Sequence, residues 1–487
     1  MQAVLLSAAL LSLVLSLPAR ALTTLDADGV TSPALLIAAA LGDDNVETPD
    51  CSHPGFGPHL GQEVDATLGV PVFTFTLHVQ PDTDRCLLND RQRLEVKASD
   101  SSPEELRIRA GETVFYRWRF RLDEGFRNSP GFTHLHQLRP FDGDAAQPML
   151  TLTSRFKGGD RLELSHVDSA TRQHLLALAP FAPLRGAWVE AESRLRAGTQ
   201  GNYTLRLRRL QDGAVLLHQS FPDLDLWRAG TTFVRPKWGV YRSLAFPDYL
   251  RDEVVRFTRF CIAKGRDECR PETEVAPPEF NPAGGSHGRP QQVSLSSATP
   301  GATLRYRRDG QLPDCNSGTV YTAPITLDST GTLHAIACHA GLADSLGASA
   351  RYTFVSPVAL LLPRSAARAS SNNDKAGNTL DGRLWTRWSA NGDGQWIQYD
   401  LGKVQSLAGV DIAWYQGSDR RYRFELQASE DGVTFTPLLT AESSGSTRRR
   451  EAYSLPTTRA RWVRLIGHGN NADGSIALTE TVWQVLP

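Results

Sequence analysis

Along much of the chain, apolar and polar residues alternate in short runs closed by turn residues, as in strands with one buried face. "RLEVK" sets Arg93, Glu95 and Lys97 on one side and Leu94 and Val96 on the other, because successive side chains of a strand point to opposite faces. In "THLHQ", His134 and His136 are expected to share a face, with Leu135 opposite. "RPKWGVYRS" aligns Lys237, Gly239 and Tyr241. An ammonium and a phenol would then stand roughly 13 Å apart, with bare backbone between them. A strand built for packing would carry Val or Ile there. "GAWVEAESRLRAGTQGNYTLRLRR" continues the pattern, and Trp188 and Trp227 read as core. These segments predict an all-β protein whose first part is two curved antiparallel sheets.

Composition agrees: Gly (40) and Pro (29) are plentiful and Met (2) is nearly absent. A length of 487 residues exceeds what one core usually serves. The net charge of −1 argues against a nucleic-acid binder and a polybasic membrane binder. The start, "MQAVLLSAALLSLVLSLPARA", has an apolar run from Ala3 to Leu17, then Pro18 and the small-x-small Ala19-Arg20-Ala21. Residues 1–21 therefore read as a cleaved export signal, which places the protein outside the cell or in a periplasm. The six cysteines suit an oxidising compartment. Short spacings favour Cys261–Cys269 and Cys315–Cys338, leaving Cys51–Cys86, one of several pairings that an even set allows. A Pro- and Gly-rich stretch at Arg270–Gln291 and a weaker break near "FVSPVALLLPRSAARASSNND" divide the remainder into about 22–272, 273–355 and 356–487.

Two of these modules resemble known accessory domains. "VSLSSATPGATLRYRRDGQLPD", "YTAPITL" and "GTLHAIACHAGLADS" are similar to the small immunoglobulin-like sandwich at the C-terminus of chitobiases and β-hexosaminidases. "NTLDGRLWTRWSA", "QWIQYDLGKVQSLAGVDIAW", "YRFELQASEDGVTFTPL" and "ARWVRLIGHGNNADGSIALTE" resemble the discoidin, or coagulation-factor type C, family of galactose-binding-like β-sandwiches. That resemblance implies a carbohydrate-binding module with a structural Ca²⁺ held by oxygens of Asp381, Thr386 and Glu480. It also implies sugar contacts from loop residues, for which Tyr415, Arg421, Asn470 and Asn471 are candidates.

The first module resembles the concanavalin-like jelly-roll polysaccharide lyases, such as alginate lyases and heparin lyase I. Their R-[ST]-E-L-R, Q-[IV]-H and Y-F-K-A-G-[VI]-Y strands correspond in order to R-L-E-V-K, H-L-H and P-K-W-G-V-Y. The resemblance implies that Arg93 binds a uronate carboxylate and that Glu95 holds its cationic neighbour. His136 becomes the base or carboxylate neutraliser, Lys237 a subsite cation and Tyr241 the catalytic phenol. Gly239 would let a sugar lie against the strand. The chain departs from the pattern where Lys97 replaces the second arginine and His134 the glutamine. Gln137 offers an amide but should face the other way on a regular strand.

The implied activity is β-elimination. The proton at C5 of a 4-linked uronate is removed and O4 is expelled, which needs placed cations, a base and an acid but no catalytic metal. The expected partner is an acidic polysaccharide (alginate, glucuronan or heparin-like), with no nucleic acid, no membrane, and action as a monomer. Two alternatives remain: a non-catalytic, lectin-like multi-module protein, and a glycoside hydrolase on the same jelly roll, which would need two carboxylates flanking the bond.

Overall fold

The computed structural model describes residues 22–487, so the export signal expected at 1–21 lies outside the described residues. The described residues are almost entirely β, with one short α-helix among them at Pro33–Leu41. No helix among the described residues is long and apolar enough to cross a membrane. Two compact units emerge. The first runs to Pro278 and adds Ser297–Val320 and His334–Ser349; the second comprises Glu279–Ser296, Tyr321–Leu333 and Ala350–Pro487.

The first unit is a sandwich of two antiparallel sheets. The eight-stranded sheet runs in the order Val215–Leu226, Gly198–Arg209, Trp188–Arg196, Thr113–Arg121, Glu253–Lys264, Pro71–Leu77 and Leu60–Val64, with Leu22–Leu25 also on Glu253–Lys264. The seven-stranded sheet runs Gln173–Pro180, Asp160–Val167, Leu150–Phe156, Thr133–Pro140, Val234–Ser243, Arg91–Lys97 and Val46–Glu47. Alternation dictates the packing. Leu94, Val96, Trp238 and Val240 from one sheet meet Phe73, Trp118, Phe120 and Phe257 from the other in a single core. Trp238 makes edge-on contacts across the gap with Tyr116 (5.7 Å between ring centroids) and Phe260 (5.4 Å). Trp188 is buried and Trp227 packs against the core, as expected. The three disulfides are Cys51–Cys86, Cys261–Cys269 and Cys315–Cys338.

In the second unit, Glu279–Asn281, Gln291–Ser296 and Ile325–Leu327 form a three-stranded sheet. A separate eight-stranded sheet is built around the twenty-residue strands Gln395–Trp414 and Glu451–Asn470. Register shifts at Asp400/Gln405 and Leu407/Gly409 bend these long strands around a core of Trp388, Trp414, Trp483, Tyr399 and Phe424.

Candidate functional site

The outer face of the seven-stranded sheet collects most of the residues singled out in the first module. Its centre is the pairing of Val234–Ser243 with Arg91–Lys97, which sets Lys237 opposite Lys97, Gly239 opposite Glu95 and Tyr241 opposite Arg93. This half of the expected geometry holds.

The histidine strand differs. Its ladder to Val234–Ser243 pairs Trp238 with His136 and Tyr241 with His134, and its ladder to Leu150–Phe156 slips between His134 and His136. The result is a β-bulge in which Leu135 and His136 both turn inward. His136 therefore does not share a face with His134. Its ring lies 4.7 Å from Trp118 and 5.5 Å from Trp238, and its Nδ1–H donates to the Lys237 carbonyl at 2.8 Å. Burial drives its pKa down to about 3, so it is a neutral core residue. After the bulge, Gln137 regains the outer face and donates to Glu95.

Gly239 is also explained by the backbone. Its φ is +143°, and a Cβ there would come within 2.2 Å of the Leu94 carbonyl oxygen and 2.7 Å of the Glu95 Cα. The close approach of the neighbouring strand requires the glycine, whatever lies above the sheet.

Beneath the face lies a buried ionic floor. Glu95 is fully buried, and Lys237 keeps only 3% of its surface. The Lys237 ammonium pairs with Glu47 and lies 3.5 Å from Glu95. Arg93 donates to Asp84 (3.0 Å), Glu47 (3.1 Å) and Glu95 (3.2 Å), and Lys97 reaches Glu47 at 3.0 Å. Burial alone would raise the Glu47 carboxyl, but Lys237, Arg93 and Lys97 outweigh it and hold that group well below the ordinary range. Burial lowers Lys237, and the two glutamates only partly offset the effect. Arg93 and Lys237 are thus bound by the chain's own carboxylates.

Tyr241, itself buried, packs against this floor. Its ring lies 3.7 Å beneath the Arg93 guanidinium carbon, and its hydroxyl oxygen accepts from Arg91 at 3.1 Å. Phe132 and His134 flank it at 5.1 and 5.8 Å between ring centroids. His134 is hydrogen-bonded through Nδ1 to the Thr153 hydroxyl at 2.8 Å. Desolvation, followed by Arg155, Arg139 and Arg93, lowers its pKa to about 3, so it too is neutral. Arg139 bonds neutral oxygens, namely Gln137 Oε1 at 3.5 Å and the Ala145 carbonyl at 2.9 Å. Arg235 likewise donates to the Ala98 carbonyl at 2.9 Å.

Sequence reading missed Glu47, Asp84, Arg91 and Arg139. Arg91 was within reach, being one further step of the same alternation as Arg93. Glu47 comes from the short edge strand Val46–Glu47 and Asp84 from the loop before Arg91–Lys97, and neither carries a local signal.

In the second unit, Asp381, Thr386 and Glu480 come together. Thr386 donates to Asp381 at 2.9 Å, and the Gly382 and Arg383 backbone faces Glu480. The Glu480 Oε2 is buried without a hydrogen-bond partner. Asn470 is a loop clamp rather than a free amide. It donates to Asp473 (2.7 Å) and the Ser475 carbonyl (2.8 Å) and accepts from the Ala472 backbone (2.8 Å). Asn471 accepts from the Arg421 backbone at 2.7 Å, and the Arg421 side chain is 3.5 Å from Glu442. Tyr415 is half-buried, with Arg387 4.1 Å over its ring. Trp385, 79% exposed, was not anticipated.

Comparison with known proteins locates two of these parts. The F5/8 type C domain family matches residues 365–482, and the chitobiase/beta-hexosaminidase C-terminal domain family matches residues 282–353. No curated protein matches the chain. Among solved structures, the CBM32 of AlyQ in complex with 4,5-unsaturated mannuronic acid is 39% identical over 24% of this chain and 92% of that one, with a TM-score of 0.24. Truncated AlyQ with CBM32 and alginate lyase domains is 35% identical over 27% of this chain and 34% of that one, with a TM-score of 0.26, so the match spans about a third of its length. An endo-β-1,4-glucuronan lyase from the fungus Trichoderma reesei is 14% identical over 42% of this chain and 86% of that one, with a TM-score of 0.32. The chain thus contains an F5/8 type C, or discoidin, domain at residues 365–482, preceded by a chitobiase/beta-hexosaminidase C-terminal domain at residues 282–353.

Proposed function

We propose that the protein is an exported polysaccharide lyase that cleaves a uronic-acid-containing chain by β-elimination, with its discoidin domain binding carbohydrate. The observation that carries this reading is the placement of a neutral histidine, His134, beside Tyr241 on a face where Arg139 and Arg235 contact no carboxylate partner of their own. Those two cations would attract and neutralise a uronate carboxylate, which makes the C5 proton removable. With Nδ1–H donated to Thr153, His134 Nε2 is left as the base. Arg91 supports negative charge on the Tyr241 oxygen, so the phenol can give its proton to O4 and recover it. The role first expected of His136 passes to His134.

A hydrolase reading finds less support. Glu47 and Glu95 are locked in buried ion pairs rather than flanking an open cleft.

In the second unit, the oxygens of Asp381, Thr386 and Glu480 suit a hard cation, and the unpartnered Glu480 Oε2 is a ready ligand for Ca²⁺. That ion would brace the loops around Trp385 without entering the reaction.

The decisive experiment incubates the protein with alginate, glucuronan, heparin and pectate and follows the ultraviolet absorbance of the unsaturated uronate product. Growth of that absorbance on an acidic glycan supports the reading. Glycan binding without it on any of the four leaves the lectin-like alternative.

A further inference from the structure

Three imidazoles and a carboxylate converge in the first unit, in a group separate from the tyrosine face. His53 follows the bridged Cys51, His59 immediately precedes the Leu60–Val64 strand, and His78 immediately follows Pro71–Leu77, with Asp82 four residues on. His53 Nδ1 and His59 Nε2 each lie 3.0 Å from Asp82 Oδ1, and His78 Nδ1 lies 3.2 Å from Asp82 Oδ2. All four ligand-type atoms fall within 4.8 Å of one another. A tetrahedral zinc ion with Zn–N bonds of about 2.0–2.1 Å would hold its ligands about 3.4 Å apart. The side chains are already near that spacing.

A second observation concerns the outer side of His59. Its Nδ1 lies 2.7 Å from Asp50 Oδ1, an oxygen that also accepts the His59 backbone N–H at 3.0 Å. Donation of Nδ1–H to Asp50 fixes the tautomer and turns the Nε2 lone pair inward. Outer carboxylates orient metal-binding histidines in this way. His59 and Asp82 are each 1% exposed, and the Phe56 ring covers the group at 4.4 Å from His78 and 4.8 Å from His59.

We propose that His53, His59, His78 and Asp82 bind one Zn²⁺ as a closed structural site. Imidazole nitrogens select a transition metal over calcium, and four protein donors leave no open position for a reacting water. The ion fastens the segment that carries Asp84, whose carboxylate holds Arg93, and Cys86, bridged to Cys51. The site stands whether or not the tyrosine face is catalytic.

The test uses the full chain, expressed without a polyhistidine tag, stripped by a zinc-selective chelator and reloaded with Zn²⁺ or Co²⁺. Elemental analysis should find one zinc per chain, reloading should raise the melting temperature, and Co²⁺ should give the intense visible bands of a tetrahedral site. His78→Gln and Asp82→Asn should abolish stoichiometric zinc. Asp50→Asn, which spares the ligands, should weaken binding by about 10–100-fold. Should a variant fail to fold, the wild-type cobalt spectrum still decides the matter. Folded wild-type protein that takes up no zinc, a six-coordinate cobalt spectrum, or folded His78→Gln protein with undiminished zinc would overturn the assignment.

Discussion

The two sheets of the first unit each bury a network of carboxylates and cations on the side away from their common core. On the eight-stranded sheet, Glu190, Glu192 and Glu274 interlock with Arg117, Arg206 and Arg208 at 2.6–3.0 Å. Two further guanidinium bonds end on the Asp344 and Ser345 carbonyls at 3.0 and 3.2 Å, so the chain itself closes this network. On the seven-stranded sheet, Glu47, Glu95 and Asp84 hold Arg93, Lys97 and Lys237 in much the same manner, but on the same face as Tyr241 and His134 two further guanidinium groups, those of Arg139 and Arg235, bond only neutral oxygens. Similar ionic floors thus serve different ends. One is structure throughout. The other supports an aromatic and imidazole surface with cations to spare.

The sharpest way to break this comparison is at the phenol. Tyr241→Phe keeps the ring over which Arg93 stacks and removes one hydroxyl. Elimination should slow by about 10²–10⁴-fold in kcat with little change in KM, the mark of an interaction made in the transition state. Arg119, which pairs with Glu190 at 2.9 Å, belongs to the closed network, and Arg119→Gln should leave turnover intact. Equal losses in both variants would erase the distinction.

Next in size is the cost of opening each floor. Removing one partner of a buried ion pair typically costs about 3–5 kcal/mol. Lys237→Met should therefore lower the urea midpoint rather than raise KM. A chain ended at residue 272 lacks Glu274 and should be destabilised by a similar amount, because Arg117 and Arg208 lose a partner. Unchanged denaturation in either case would show that these networks contribute little.

Acid provides a smaller and more selective probe. His134 and His136 both have folded pKa values near 3, well below the ordinary 6.5. Between those values the unfolded chain binds more protons, so their stabilising contribution is present above about pH 6.5 and is lost as the pH falls towards 3. His136→Gln should flatten that acid limb and spare turnover, whereas His134→Gln should flatten it and lose activity. The smallest effect belongs to calcium. Chelation with a calcium-selective agent should lower the melting of the second unit and leave the initial rate on soluble glycan unchanged.

How much of this was legible in the sequence follows from the same comparison. Alternation revealed the strands, the all-β class and the facing of Lys237, Gly239 and Tyr241, because a period of two is a local property. It could not tell a site from a structural network. "RWRFR" at Arg117–Arg121 alternates as plainly as "RLEVK", yet it feeds the closed cluster. It also assigned His136 to the wrong face, because a bulge is set by neighbouring strands and not by the residues it displaces. Glu47 and Asp84, brought in by chain folding, were beyond any local pattern. The meeting of Asp381, Thr386 and Glu480 was legible only through the recurring blocks of a known domain.

The bulge at Leu135 and His136 also bears on how relatives of this protein can be recognised. It lets the strand carry one more residue than its face displays. A relative with a regular strand would present the same outer surface as His-x-Gln, where this chain spells His-Leu-His-Gln. Motif searches with fixed spacing would pass over such a pair, and gap-free alignment would match His136 with a glutamine that does its neighbour's work. Homology here is better sought in what each strand shows than in how many letters it takes to show it.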